Sequence, residues 1–321
     1  MARVAAAIVT YDRGALLVEC LRAVLAQEPA VERVVVVDNA STDGTPDLVR
    51  AAGLLDDPRV DYERLERNLG SSGGFARAID RARGDVDWIW VMDDDAEPRS
   101  GSLRTLLESP WAQDAGTAVL AQTVVNPDGS VQLGARGELG EGRVRGLAVA
   151  EHVDGAELGF ATFVGMLVRG AAARATDPPK AEFFIWCDDY EWCLRLRAQG
   201  RLRLVRGSEI LHKDAGHGFT TRRARIVNRL TGWSYAATPY RGFWRNLCGV
   251  RNYIWMRKVH MGESAAGAVL TVAQFAVKAL LYDERPLARL PWIVRAGLDG
   301  RRGVFRTITP EQWEARLRRR A

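Results

Sequence analysis

The first hundred residues alternate short apolar runs with helical spacings, and each apolar run ends in polar residues. Val4–Thr10, Arg33–Val37, Val60–Arg64 and Asp87–Met92 read as strands. Between them Leu17, Leu21, Val24 and Leu25 recur at helical spacing, Ser41–Pro46 reads as a turn and helix start, and Gly70–Gly74 opens a helix through about Arg83. This βαβα order calls for an α/β fold with a mainly parallel sheet, because each parallel crossover needs a helix-length connection. Ligands of such sheets bind beyond the carboxyl ends of the strands. Asp38, Asn68 and the run Asp93-Asp94-Asp95 all fall there.

Of the 321 residues, 47 % are hydrophobic and 26 % charged, which excludes a mostly disordered chain, a collagen-like repeat and a disulfide mini-protein. The formal charge of +5 averages two unlike parts: residues 1–240 carry −5 and residues 241–321 carry +10. The four cysteines, Cys20, Cys187, Cys193 and Cys248, form no C-x-x-C pair, so reduced thiols are expected rather than a zinc ribbon or redox motif. Met1–Val4 leads straight into an apolar strand without the long apolar core of a signal peptide, so a cytoplasmic location is expected. The nearest approach to a spanning helix, Ala265–Leu281, is interrupted by Gln274 and Lys278.

Further along, Val119–Val125, the turn Asn126–Gly129 and Ser130–Leu133 read as a hairpin, Gly134–Gly146 as a loop and Phe160–Val168 as one strand. Asp188–Gln199 reads as a helix, and from Trp233 the chain is helical, aromatic and basic. The expected division is a catalytic domain over 1–235, with a donor part to about 100 and an acceptor part after it, and a helical region over 236–321.

Three adjacent carboxylates at a strand end repel one another unless a cation intervenes. Their hard oxygens suit Mg²⁺ or Mn²⁺, which commonly bridges carboxylates to a substrate diphosphate. A second acidic cluster, Asp188-Asp189-Tyr190-Glu191-Trp192, offers a general base for an acceptor hydroxyl, or a cap for its helix. His212, ending an apolar stretch, reads as a further metal ligand or as a buried hydrogen-bonded imidazole.

Asp38–Thr45, Asp93-Asp94-Asp95 and Asp188–Arg195, in that order, resemble the family 2 glycosyltransferases with the GT-A fold. Arg67–Phe75 followed by Trp88–Asp95 is similar to the bacterial galactofuranosyltransferases of cell-wall galactan synthesis, with the rhamnosyltransferases, which use dTDP-rhamnose, as the alternative. The resemblance implies an inverting, metal-dependent transfer from a nucleotide-diphosphate sugar, UDP-galactofuranose by preference, to a lipid-linked or polymeric glycan. Thr10 and Asp38 would contact the uridine, and Asn68 with the Gly73-Gly74 backbone would line the donor pocket. Asp93 and Asp95 would hold Mn²⁺ or Mg²⁺ and the ribose–diphosphate, with Asp94 beside them and His212 as a further ligand. Asp189 would be the base, Asp188 and Glu191 would position base or acceptor, and Trp192 would pack on an acceptor sugar. Ser71-Ser72 departs from the Gly/Ala usual in that loop.

The C-terminal part mixes Phe243, Trp244, Tyr253 and Trp255 with Arg241, Arg245, Arg251 and Arg257, and ends in Arg316, Arg318, Arg319 and Arg320. Aromatics beside arginine suit a membrane–water interface, and basic clusters suit anionic lipid. Ala265–Leu281, with Val269, Val272, Ala276 and Leu280 on one face and Thr271, Gln274 and Lys278 in a polar stripe, reads as an interfacial helix or a surface for another copy of the chain. The expected location is peripheral, at the inner face of the cell membrane. Nucleic-acid binding is the competing class, disfavoured because the acidic clusters stand where a phosphate-binding surface would be basic. A nucleotidyltransferase would need a denser Gly- and Lys/Arg-bearing loop than Thr10–Gly14.

Overall fold

The computed structural model describes residues 2–140, 143–214, 220–232 and 236–318; Trp233, Arg319 and Arg320 lie outside them. The chain divides into two compact units, Met1–Ala181 with Asp188–Ala215, and Glu182–Cys187 with Gly216–Ala321. The helix ahead of residue 235 and the segment Glu182–Cys187 thus group with the second unit. The helix Arg222–Thr231 packs Ala224 into a cluster with Tyr282, which draws it into the second unit.

The first unit is built on one sheet. Its strands are β1 (Val4–Thr10), β2 (Arg33–Asp38), β3 (Val60–Arg64), β4 (Trp88–Asp93), β5 (Ala96–Pro98), β6 (Thr117–Val125), β7 (Met166–Arg169) and β8 (Arg201–His212), in the order β3-β2-β1-β4-β7-β6-β8-β5, and the two-residue strand Glu157–Leu158 pairs antiparallel with β8 off this path. β1, β2, β3 and β4 pair in parallel, while β7 runs antiparallel between β4 and β6. The helices that matter for the site are α1 (Gly14–Leu25), α2 (Thr45–Ala51), α3 (Gly70–Ala82) and α4 (Asp188–Leu196). β1 is buried along its whole length, as a strand covered on both faces must be. α1 buries Leu17, Leu21 and Val24 at helical spacing against this sheet. α3 lies close to β1 because its opening is glycine: a Cβ on Gly74 would fall 2.6 Å from Val9 Cγ1.

Three expected elements differ. The hairpin after β6 shrinks to a single bridge, Val125 with Val131, because β6 already has β7 on one side and β8 on the other. The expected loop 134–146 holds two paired strands, Arg136–Gly140 and Arg143–Gly146, joined by Phe160–Ala161 in a small sheet. Its glycines permit close strand approach, since a Cβ on Gly137 would sit 2.1 Å from the Arg145 carbonyl. The single strand expected over 160–168 breaks before Gly165, whose φ is +73°.

Arg136 ties these pieces together from inside. It is fully buried, and its guanidinium donates to the carbonyls of Gln122 (2.8 Å), Ala135 (2.8 Å) and Gly165 (3.2 Å). Burial pushes its pKa down to about 9.

The second unit is helical: α5 (Arg222–Thr231), α6 (Phe243–Met261), α7 (Ala265–Tyr282), α8 (Pro286–Arg302) and α9 (Pro310–Arg318). Phe243, Trp244, Ile254, Ile293 and Trp313 form its core. The expected aromatic–arginine interface of 241–257 is thus largely internal: Phe243, Trp244 and Arg251 are buried. Buried Arg289 stands 4.5 Å from the Phe243 ring centre and donates to the Thr238 carbonyl at 2.6 Å. Phe184, Trp186 and Cys187 all take left-handed φ values (66°, 69° and 67°). The Asn252 side-chain amide holds that turn by donating to the carbonyls of Phe183, Ile185 and Trp186 at 2.9–3.0 Å.

Arg136→Met strips buried carbonyls of their donors and is expected to cost about 3 kcal/mol, seen as a lower urea midpoint at unchanged slope.

Candidate active site

Register places the chemistry at one edge of the sheet. Thr10 pairs with Asp38 across β1 and β2, and Val9 with Asp93 across β1 and β4. β8 then pairs antiparallel with β5, setting His212 opposite Ala96, and the Lys213 amide donates to the Asp95 carbonyl at 2.9 Å.

Asp38 is enclosed. Tyr62 Oη donates to it at 2.7 Å and the Ser41 amide at 2.8 Å, so the carboxylate closes a turn and pins β3. Burial, with the Asp38 carboxylate beside it, pushes the Tyr62 phenol above its ordinary range. Thr10 is also buried and donates to Asp94 Oδ2 at 2.6 Å. As placed, both expected uridine contacts face their neighbours. Asn39, absent from the expected set, clamps the start of α3: its amide donates to the Gly70 carbonyl and its oxygen accepts from the Leu69 amide, each at 2.8 Å. Asn68 accepts from the Gly70 amide at 2.7 Å. Gly73 and Gly74 are buried by packing on Leu69 and Val9, so they act as a close-approach surface and do not present an open backbone to a donor.

The three acids of 93–95 have different surroundings. Burial, with Asp95 and Asp94 as like-charged neighbours and Asp188 adding to them, pushes Asp93 well above the ordinary carboxylate range. Burial pushes Asp94 up to about 6, against the pull of Thr10 and Arg13. Burial would raise Asp95 too, but the His212 imidazole and Arg13 outweigh it and hold that carboxyl below its usual value. Arg13 is the site residue that motif reading missed. Its guanidinium donates to Asp95 Oδ2 at 2.6 Å and to Asp214 at 3.0 Å, and stands 3.6 Å from Asp94. Its signal was a cation placed just past the end of β1, where the acids of β4 must come together with it.

The second cluster opens α4. Asp188 is buried, and that burial pushes it up to about 6. Asp189 is half-buried, accepts from the Tyr190 amide at 2.7 Å, and is pushed well above its usual range by burial and then by Asp188. Glu191 is paired: Arg195 grips it with two bonds of 2.9 and 2.8 Å and also donates to the carbonyls of Asp177 and Pro178. Trp192 is fully buried, its ring edge-on to Phe163 at 5.9 Å. A side chain without exposed surface cannot stack on a sugar, so the acceptor role expected of Trp192 is replaced by a core role.

The donor atoms suit a divalent ion. Asp95 Oδ1 is buried without a hydrogen-bond partner and lies 3.4 Å from His212 Nε2. His212 Nδ1 sits 2.8 Å from Gln132 Oε1, an acceptor that would keep the proton on Nδ1 were Nε2 to bind an ion. Among the described residues no three His, Cys, Asp or Glu side chains converge on one point. An ion here would take few protein ligands and leave positions for substrate oxygens, as Mg²⁺ and Mn²⁺ at diphosphates do.

If Trp192 is core, Trp192→Ala should cost about 3–5 kcal/mol of stability in thermal or urea unfolding, and Trp192→Phe far less. A variant of unchanged stability with a selective loss of acceptor affinity would restore the sugar-stacking role.

The sequence profile of glycosyl transferase family 2 matches residues 6–172. Over 122 residues the chain is 39 % identical to the succinoglycan biosynthesis protein ExoO of Rhizobium meliloti, a stretch that is 38 % of this chain and 34 % of that protein. Over 204 residues it is 31 % identical to the galactofuranosyltransferase GlfT1 of Mycolicibacterium smegmatis, covering 61 % of this chain and 66 % of that one. The chain thus spans about a third of the first relative and just under two thirds of the second. In fold it is similar to GalNAc-T7, solved with UDP, GalNAc and Mn²⁺, at a TM-score of 0.57 and 15 % identity over 81 % of this chain and 48 % of that one. With more than half its length under the family profile, on a mixed, mainly parallel GT-A sheet, the chain belongs to glycosyl transferase family 2.

Proposed function

We propose that the chain is an inverting, metal-dependent glycosyltransferase that moves galactofuranose from UDP-galactofuranose onto a lipid-linked or polymeric cell-wall glycan. The observation that carries the reaction type is the pair of acidic clusters in one unit, one at the end of β4 and one opening α4, with Asp188 adding to the charge that raises Asp93. The likeness to GlfT1 supports the donor, and the likenesses to GlfT1 and ExoO support a glycan acceptor. GalNAc-T7, solved with UDP and Mn²⁺, supports a UDP donor and a divalent ion.

On this reading Asp95 and His212 hold Mn²⁺ or Mg²⁺ with Asp93 beside them, and the ion supplies positive charge for the leaving diphosphate. Gln132 fixes the His212 tautomer. Asp189, the half-buried member of its pair, takes the proton of the acceptor hydroxyl. The acceptor oxygen bonds to the anomeric carbon as that carbon's bond to the diphosphate breaks. A single displacement inverts the anomeric centre and needs one carboxylate base. The raised pKa of Asp189 makes it a stronger base than an ordinary carboxylate. Asp188, buried behind it, raises that basicity through like charge.

Asp189→Asn should lower transfer about 10²–10⁴-fold while calorimetric binding of UDP-sugar persists; full activity would remove Asp189 as base. The pH dependence has a defined sign. Asp189 must be ionised to act, so the rate rises with pH above the ordinary carboxylate range. Asp188→Asn removes a like charge, lowers the Asp189 pKa and moves this acidic limb to lower pH. A panel of sugar nucleotides with Mn²⁺ tests the donor: turnover of UDP-galactofuranose supports the reading, and turnover confined to dTDP-rhamnose replaces it.

A further inference from the structure

In the second unit α7 turns its apolar side outward. Val269, Leu270, Val277 and Leu280 are exposed, Val269 at 70 %, while Ala268, Thr271, Ala279 and Tyr282 make the buried face. Thr271, expected in a polar stripe, accepts from Arg257 at 2.7 Å. α8 carries a matching stripe, Leu287, Val294 and Leu298, with Leu287 at 73 % exposure.

The two stripes make one surface. Residues 283–285 join the helices into an antiparallel pair, and a Cβ on Gly297 would fall 2.3 Å from Val272 Cγ2, which marks the line of contact. At ~100° per residue each stripe stands roughly a quarter to a third of a turn from that line. In an antiparallel pair this puts both on the same side. The acids of the hairpin are turned inward: Glu263 pairs with Arg257 at 2.9 Å, and Asp283 with Arg289 at 3.4 Å. Arg285, Arg295 and Arg302 are exposed. Arg295 also borders a cleft of about 200 Å³ shared with Arg306 and Arg316.

We propose that the outer face of α7 and α8 docks on an anionic lipid bilayer, with both helices lying in the boundary between headgroups and acyl chains. Apolar stripes rimmed by arginine match that boundary in both polarity and charge. A second copy meeting this face about a two-fold axis would set the arginine rim against itself. α7 is long and apolar enough to cross a membrane by length and composition, with a mean hydropathy of 1.5 over 18 residues. Its other face, however, is bonded into its own unit: Arg257 donates to Thr271, and Arg223 donates to the Leu280 carbonyl at 2.7 Å. Lipid on all sides would leave those groups without partners.

Co-sedimentation of the full chain with phosphatidylglycerol and phosphatidylcholine vesicles tests this. The chain should pellet with phosphatidylglycerol at about tenfold lower lipid than with phosphatidylcholine, and less so at high salt. The pair Val269→Asp with Leu287→Asp should weaken this binding at least about tenfold. Val149→Asp with Val153→Asp, an equal charge change at two exposed positions of the first unit, should leave it unchanged. Circular dichroism and unfolding midpoints of the variants should match those of the parent. A parent that stays in the supernatant, or a double variant that still pellets, overturns the proposal. So does a dimer in solution that the double variant dissociates, or a chain that alkaline carbonate fails to strip from cell membranes.

Discussion

Carboxylates crowded at the carboxyl edge of a buried parallel sheet set the terms for the first unit. In a low-dielectric interior, like charges at this spacing cannot all ionise without counter-charge. The fold meets this with groups from several elements. Thr10 at the end of β1 donates to Asp94, Arg13 at the mouth of α1 reaches Asp95, and His212 arrives from the end of β8. The result is three adjacent aspartates in three electrical states: one held low, one raised to about 6 and one raised well above the ordinary carboxylate range. An edge poised in this way is suited to exchange its own cations for those of a bound substrate complex.

The second unit solves the opposite problem, since it is rich in cations. Arg289 and Arg251 are taken into the core by aromatic faces and backbone carbonyls, Arg289 over Phe243 and Arg251 onto the Phe183 carbonyl. The acids pair inward, and the remaining arginines stay at the surface. Hence a +10 segment has a neutral interior and a basic rim around exposed leucines and valines.

Much of the first unit was legible because its signals are local. Apolar runs of strand length, glycines at a helix start and acids past strand ends each state their role over a few residues. The strands near residues 4, 33, 60 and 88 are found where the pattern puts them. Trp192, Glu191 and Asp38 are each engaged by neighbours that motif reading does not show, for one shared reason. A polar or aromatic side chain in a motif looks available until the packing around it is known. Trp192 is enclosed by its own helix and Phe163, Glu191 is captured by Arg195, and Asp38 by Tyr62. The Gly134–Gly146 segment was misread because glycine permits close strand pairing as readily as it permits a loop.

The sequence by itself determined the α/β alternation, the two acidic clusters and the separation of an acidic part from a basic one. These follow from residue type and spacing along the chain. Only the tertiary structure decided which acids share an edge, which of the pair 188–189 is accessible, and that Arg13 and His212 serve Asp95. Those depend on strand register and on the antiparallel return of β8 beside β5, pairings between residues more than a hundred positions apart. It also decided that α7 shows its valines and leucines to the outside. Helical spacing gives the angle between two side chains but not the direction of the core, and that direction is set by what the other helices offer to bury.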